Sequence, residues 1–164
     1  MDVPCPLLTP TVDFAISLIE KGRNRMLETI DGLSLEQMMR VPTSFRNNLL
    51  WNLGHVVTTQ QILCYEKSGL PLRVPSYFLA PFRKGTHPGE WTGTMDPEDI
   101  ETWMMETPKM LREDLHKNIF TTYTPYETSA GVRLASISDA ISFVAWHEAQ
   151  HFGTVLALRK LVAA

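Results

Sequence analysis

Residues 69 to 95 contain Pro71, Pro75, Pro81 and Pro88 together with Gly69, Gly85, Gly89 and Gly93. Proline removes a backbone donor and glycine loosens the chain, so no long helix or strand can run through this stretch. Yet Tyr77, Phe78, Phe82 and Trp91 make it too aromatic for a disordered linker. An ordered aromatic loop of this length in a small chain is expected to pack over a site as a lid or wall. Regular structure must then lie on either side of it. With 164 residues, the chain is long enough for one domain with a real core, and residues 1–164 are read as that domain.

Four segments carry helical spacing. Thr11 is a plausible N-cap for a first helix to Ile30, with Val12, Ala15, Ile16, Ile19, Met26 and Ile30 inward and Glu20, Lys21, Arg23 and Glu28 outward. Gly32 suits the stop. Ser34 to Gln37 has the shape of a capping box, and Pro42 restricts it to a short helix or turn. A second long helix begins between Ser44 and Asn48 and runs to Ser68-Gly69, with His55 among its apolar residues. Asp96-Pro97-Glu98-Asp99 is a strong start for a third helix, which Pro108 should kink. Thr121 to Leu134 reads as short extended pieces, with a small hairpin as an option. Ser136 and Asp139 open the last helix, which carries Ile141, Val144, Trp146, Val155, Leu158 and Leu161. The expected class is all-α: a four-helix bundle with the aromatic loop between helices two and three.

A net charge of -3 leaves no basic stripe to neutralise phosphates, which argues against nucleic acid as a partner. No apolar run reaches membrane-spanning length, and the N-terminal residues resemble no leader peptide. Cys5 and Cys64 make no disulfide framework, so reduced thiols and a cytoplasmic location are expected.

Trp146-His147-Glu148-Ala149-Gln150-His151 contains His-Glu-x-x-His, which on a helix stacks two imidazoles one turn apart. In metalloproteases with this spacing, a third ligand follows downstream. Here residues 152–164 contain no His, Asp, Glu or Cys, and no sheet edge is in view to present a peptide. The third ligand must come from upstream, and His55 on the inward side of the second helix is the best candidate. Three histidines from two helices suit Zn²⁺, Ni²⁺ or Fe²⁺, and imidazole alone does not choose among these divalent ions.

Two stretches also carry a family resemblance. Asn48-Leu49-Leu50-Trp51-Asn52-Leu53-Gly54-His55-Val56 and His147-Glu148-Ala149-Gln150-His151-Phe152-Gly153 resemble the DinB/YfiT-like superfamily. The order of elements follows that family over essentially the whole chain. The resemblance implies a four-helix bundle, often a homodimer, with a divalent metal on positions matching His55, His147 and His151. Its characterised members include transferases and isomerases that use low-molecular-weight thiols, and others are described as hydrolases. This chain has Gly153-Thr154 where the family has Gly-Gln, so no role for that amide carries over.

Glu148 has two readings. It can act as a catalytic base on a water at the metal, or as a structural partner, because it is rotated about 100° from His147 around the helix. Trp51 and Trp146 are expected to pack in the core. Trp51, Asn52, Thr59, Phe82 and Trp91 are candidate pocket residues, with Asn52, Thr58 and Thr59 placed to orient ligands or substrate. His87 is expected in solvent, His116 at a helix end, Glu66 at the surface, and Cys64 as a small buried hydrophobe. The functional expectation is a metal-dependent enzyme, a hydrolase or thiol S-transferase acting on a small-molecule substrate. The alternatives are a non-catalytic binder of a metal or small ligand, and a purely structural helical dimer.

Overall fold

The computed structural model describes residues 7–93 and 95–163, so the expectations for Cys5 and the extreme N-terminus lie outside it. The described chain is mostly helical. Helix α1 spans Pro10–Ile30, α2 Leu35–Met39, α3 Leu49–Gln60, α4 Ser76–Leu79, α5 Pro97–His116 and α6 Ile137–Val162. Strands β1 (Tyr126–Glu127) and β2 (Arg133–Leu134) form a small antiparallel hairpin before α6.

Most ends follow local chemistry. Asn48 caps α3 through the Trp51 amide, Asp96 caps α5 ahead of Pro97, and Ser136 accepts from the Asp139 amide at the start of α6. Helix α1 starts two residues before the expected place. Thr9 is the cap, because Pro10 fits the first helical position, where its missing N–H costs nothing. Beyond Gln60 the third segment continues through a π-helical turn, Gln61–Tyr65, and a 3₁₀ turn, Glu66–Ser68, ending on left-handed Gly69. Gln60 and Gln61 are both fully buried there. Gln60 faces the interior, while the Gln61 side-chain oxygen Oε1 accepts from the Arg73 amide on the following loop.

Helix α1 packs on α5 and α6, and α3 packs on the same two. The core has two apolar clusters. One takes Met26 of α1, Leu49, Leu50, Trp51, Leu53, Val56 and Val57 of α3, Ile100 and Met104 of α5, and Val155, Leu158 and Val162 of α6. The other takes Val12, Ala15, Ile16 and Ile19, Leu63 to Tyr65, Leu111 and Leu115, and Ile137, Ala140, Ile141 and Val144. Helices α1 and α6 therefore run in one direction, and α3 and α5 in the other. Parallel α3 and α5 cannot be joined by a tight turn, so the chain must return along the full length of the molecule. Residues 69–95 make that return. Val74, Phe78, Leu79 and Phe82 sink into the first cluster as they do so.

A polar layer separates the two clusters. Arg23 is completely buried, which corrects its expected place on the outer face of α1. Its guanidinium binds both Glu148 oxygens at 2.7 and 2.9 Å, the Gln60 side chain at 2.9 Å, Thr107 Oγ1 at 2.7 Å and the Met104 carbonyl at 3.1 Å. One side chain of α1 thus touches α3, α5 and α6. The Met104 carbonyl stands four residues before Pro108, which has no N–H to offer it. Arg23 supplies the missing donor, and α5 runs through Pro108 as one continuous helix.

Candidate metal centre

His55 sits on α3 where the returning loop crosses it. A Cβ at Gly54 would lie 2.5 Å from the Phe82 ring, so only glycine admits that ring against the helix. The Phe82 carbonyl then falls 2.7 Å from His55 Nδ1. A carbonyl can only accept, so Nδ1 carries the ring proton and Nε2 keeps a free lone pair, 3.3 Å from the Thr59 hydroxyl. Trp51 stacks on the imidazole with centroids 4.4 Å apart and planes 12° apart. Trp51 Nε1 in turn donates to Thr86 of the loop.

His147 and His151 lie one turn apart on α6, with ring centroids 4.6 Å apart. Their centroids are 5.3 and 4.9 Å from His55. The tautomer of His151 follows from Asn52. Asn52 Nδ2 donates to the Asn48 carbonyl at 2.7 Å, which turns Oδ1 toward His151 Nδ1 at 2.8 Å. Nδ1 of His151 must therefore be the donor, leaving Nε2 bare. His147 Nδ1 is withheld from solvent with no hydrogen-bond partner.

One potential ligand atom from each histidine falls within 4.8 Å of the others, so the three can share one ion. Burial, reinforced by the neighbouring imidazoles, holds His147 near pKa 4 and His151 near 3, against an ordinary 6.5. Burial also lowers His55, Lys84 adds to this, and the Phe82 hydrogen bond opposes it. The rings are thus neutral at physiological pH, the form that binds a cation. Two rings with fixed free nitrogens and a third with an orphaned one fit a divalent metal. No acid or thiol among the described residues joins the group, so positions on such an ion stay open.

The candidate residues separate into distinct places. Glu148 is 2% exposed and both its oxygens are bound by Arg23 in the polar layer. Burial pushes its carboxyl up, and the Arg23 guanidinium works against that rise. Trp51 and Asn52 touch the histidines directly, as a stacking platform and a hydrogen-bond partner. Phe82 lies beneath His55, and Trp91 packs edge-on against Phe82 with centroids 5.5 Å apart. Thr59 lines a cleft of about 140 Å³ that also reaches His55 and His147. Trp146 is 50% exposed, not in the core as expected, since the inward side of α6 at this level belongs to Glu148. Cys64 is fully buried with its thiol pushed up by that burial. His87 pairs with Glu90 on the loop, and Glu66 with Arg83 at the surface.

The sequence reading did not anticipate Arg23 as the partner of Glu148, or Lys84, Tyr126, Thr128, Ser129 and Phe143 as walls of the cleft. A signal existed for Arg23: it continues the inward row Ile16, Ile19, Met26 at spacings of three and four. None existed for the cleft walls, which come from the loop, the hairpin and α6.

The sequence profile of the DinB superfamily matches residues 18–155, a span that includes all three histidines. No curated protein matches the chain.

Proposed function

Because the chain belongs to the DinB superfamily, we propose that it is a metal-dependent enzyme whose divalent ion is held by His55, His147 and His151. The observation that carries this reading is the meeting of three neutral imidazoles from α3 and α6 within 4.8 Å. A divalent ion supplies Lewis acidity, which makes a water or a small thiol nucleophilic near neutral pH and steadies developing negative charge. The chain's own groups do the rest. The Phe82 carbonyl and Asn52 amide hold the protons of His55 and His151 on Nδ1, so that Nε2 of each stays free. Trp51 covers one face of His55 and keeps its ring from swinging out. Thr59 places a hydroxyl beside Nε2 at the mouth of the cleft where a small substrate enters. The reaction is hydrolysis or thiol transfer. Zn²⁺, Ni²⁺ and Fe²⁺ all suit the ligands.

The second reading is a non-catalytic binder of a metal or small ligand. It is favoured by one observation: among the described residues no carboxylate lines the cleft, and Glu148 is engaged by Arg23. One experiment on untagged protein separates the readings. Stoichiometric divalent metal that disappears in His147→Ala supports both. Turnover of electrophiles with bacillithiol, mycothiol or glutathione, abolished in His55→Ala, supports the enzyme alone. Protein that never holds a divalent metal would exclude the enzyme and the metal binder, leaving only a binder of a small ligand.

We read the whole chain as one four-helix-bundle domain that works as a homodimer in the cytoplasm, with no nucleic-acid partner. The pairwise packing of α1, α3, α5 and α6 supports the bundle. Exposed Phe14 and Leu18 on α1 and Leu156 and Leu161 on α6 support the dimer, and free Cys64 suits a reducing compartment.

A further inference from the structure

The cleft beside His55 and His147 has an uneven charge. Lys84 stands at its wall, and no acidic residue among the described residues lines it. The adjacent Arg83 is paired with Glu66 at 3.3 Å, whereas among the described residues Lys84 has no ion-pair partner. Lys84 is itself exposed, so its ammonium can meet an incoming ligand from solvent. Facing it, the hairpin contributes Tyr126, Thr128 and Ser129, whose hydroxyls can donate to an anion. Lys67 lies 4.6 Å from the centre of the Tyr126 ring, a second cation held against one of these wall residues. The floor is apolar, made by Ile62, Leu63 and Phe143.

We propose that this cleft selects a small ligand with an anionic group, a carboxylate, on an apolar stem, with Lys84 as the specificity-determining residue. The carboxylate sits at Lys84 and the hairpin hydroxyls, the stem on Phe143 and Ile62, and the reactive end toward the histidines. This names the substrate class of the proposed metal site and rests on that reading for the reaction, though not for the binding. A cation is repelled by Lys84, and a neutral analogue leaves Lys84 unpaired, so both bind more weakly.

The test uses hexanoate, 1-hexanol and hexylamine as probes, measured by calorimetry on zinc-loaded and chelator-treated protein. Hexanoate is expected to bind at least tenfold tighter than hexanol, with hexylamine weakest. Lys84→Met should remove about tenfold of the hexanoate affinity, Lys84→Arg should keep it, and high salt should erode it. Lys84 is exposed and outside the core, so the thermal midpoint of both variants should stay unchanged. Equal affinity for the three probes, or hexanoate binding that Lys84→Met leaves intact, overturns the proposal. Lys84-dependent hexanoate binding in protein that takes up none of Zn²⁺, Ni²⁺ or Fe²⁺ would sink the metalloenzyme reading and leave this one standing.

Discussion

Two side chains beside the three histidines do different work. Asn52 fixes the proton of His151 because its own amide is fixed by the Asn48 carbonyl. Replacing Asn52 by Ala frees the ring, and the metal affinity of Asn52→Ala should fall roughly 10- to 100-fold in a competition titration with a chelator. Glu148 is different. Removing one partner of a buried ion pair leaves the other charge stranded, so Glu148→Ala should cost about 3–5 kcal/mol of stability. It should retain metal in the folded fraction, read by calorimetry and metal analysis, because its carboxylate is spent on Arg23. The histidines also set a pH dependence. Their folded pKa values, about 4 for His147 and about 3 for His151, lie below the ordinary 6.5. The unfolded chain therefore takes protons first as pH falls, and the metal-free protein loses stability from about pH 6.5 down through those folded values. At pH 5 the loss is up to about 2 kcal/mol per histidine relative to neutral pH. Thermal melts of chelator-treated protein should show it, and a His147→Leu/His151→Leu variant should show a shallower slope.

At the scale of elements, the returning loop does more than wall the site. It crosses α3 at Gly54, inserts Phe82 there, and hands its carbonyl to His55. Gly54→Ala puts a methyl carbon into the Phe82 ring, so either the loop or the helix must move. The expected cost is about 1–3 kcal/mol, with weaker metal binding because His55 loses its acceptor. Denaturant unfolding and a zinc titration of the variant would measure the two effects; an unchanged zinc affinity would mean that the carbonyl does not position His55. Helix α6 shows the reverse economy of design. One turn of it presents His147 and His151 to α3, while Glu148, a rotation of about 100° away, locks the same turn to α1.

Across the whole molecule, the buried ion pair and the candidate metal ligands share α6 at the interior, Glu148 standing between His147 and His151 in the chain. Outside that interior, Phe14 and Leu18 are 64% and 49% exposed one turn apart on α1. If they seat a second copy, sedimentation should give a dimer, and Phe14→Glu/Leu18→Glu should give a monomer with an unchanged helical spectrum. A monomeric parent chain would overturn that expectation. Among the described residues, no helix is long and apolar enough to cross a membrane.

The four long helices and most of their caps were legible in sequence because each depends on local spacing, whereas His55 was reached by eliminating downstream ligands and by the family resemblance. Asn48, Asp96 and Ser136 cap wherever they precede a periodic segment, and His147 and His151 share a face on any α-helix. Tertiary structure alone decided the rest. That α3 and α5 are parallel, so the aromatic loop must span the molecule, follows from which side chains share a cluster. That Arg23 turns inward depends on Glu148, Gln60 and Thr107 arriving from three other helices, since a buried guanidinium is stable only when its charge and donors are met. The spacing His-Glu-x-x-His placed two imidazoles side by side. Only the packing of α1 against α6 determined that the glutamate between them faces an arginine.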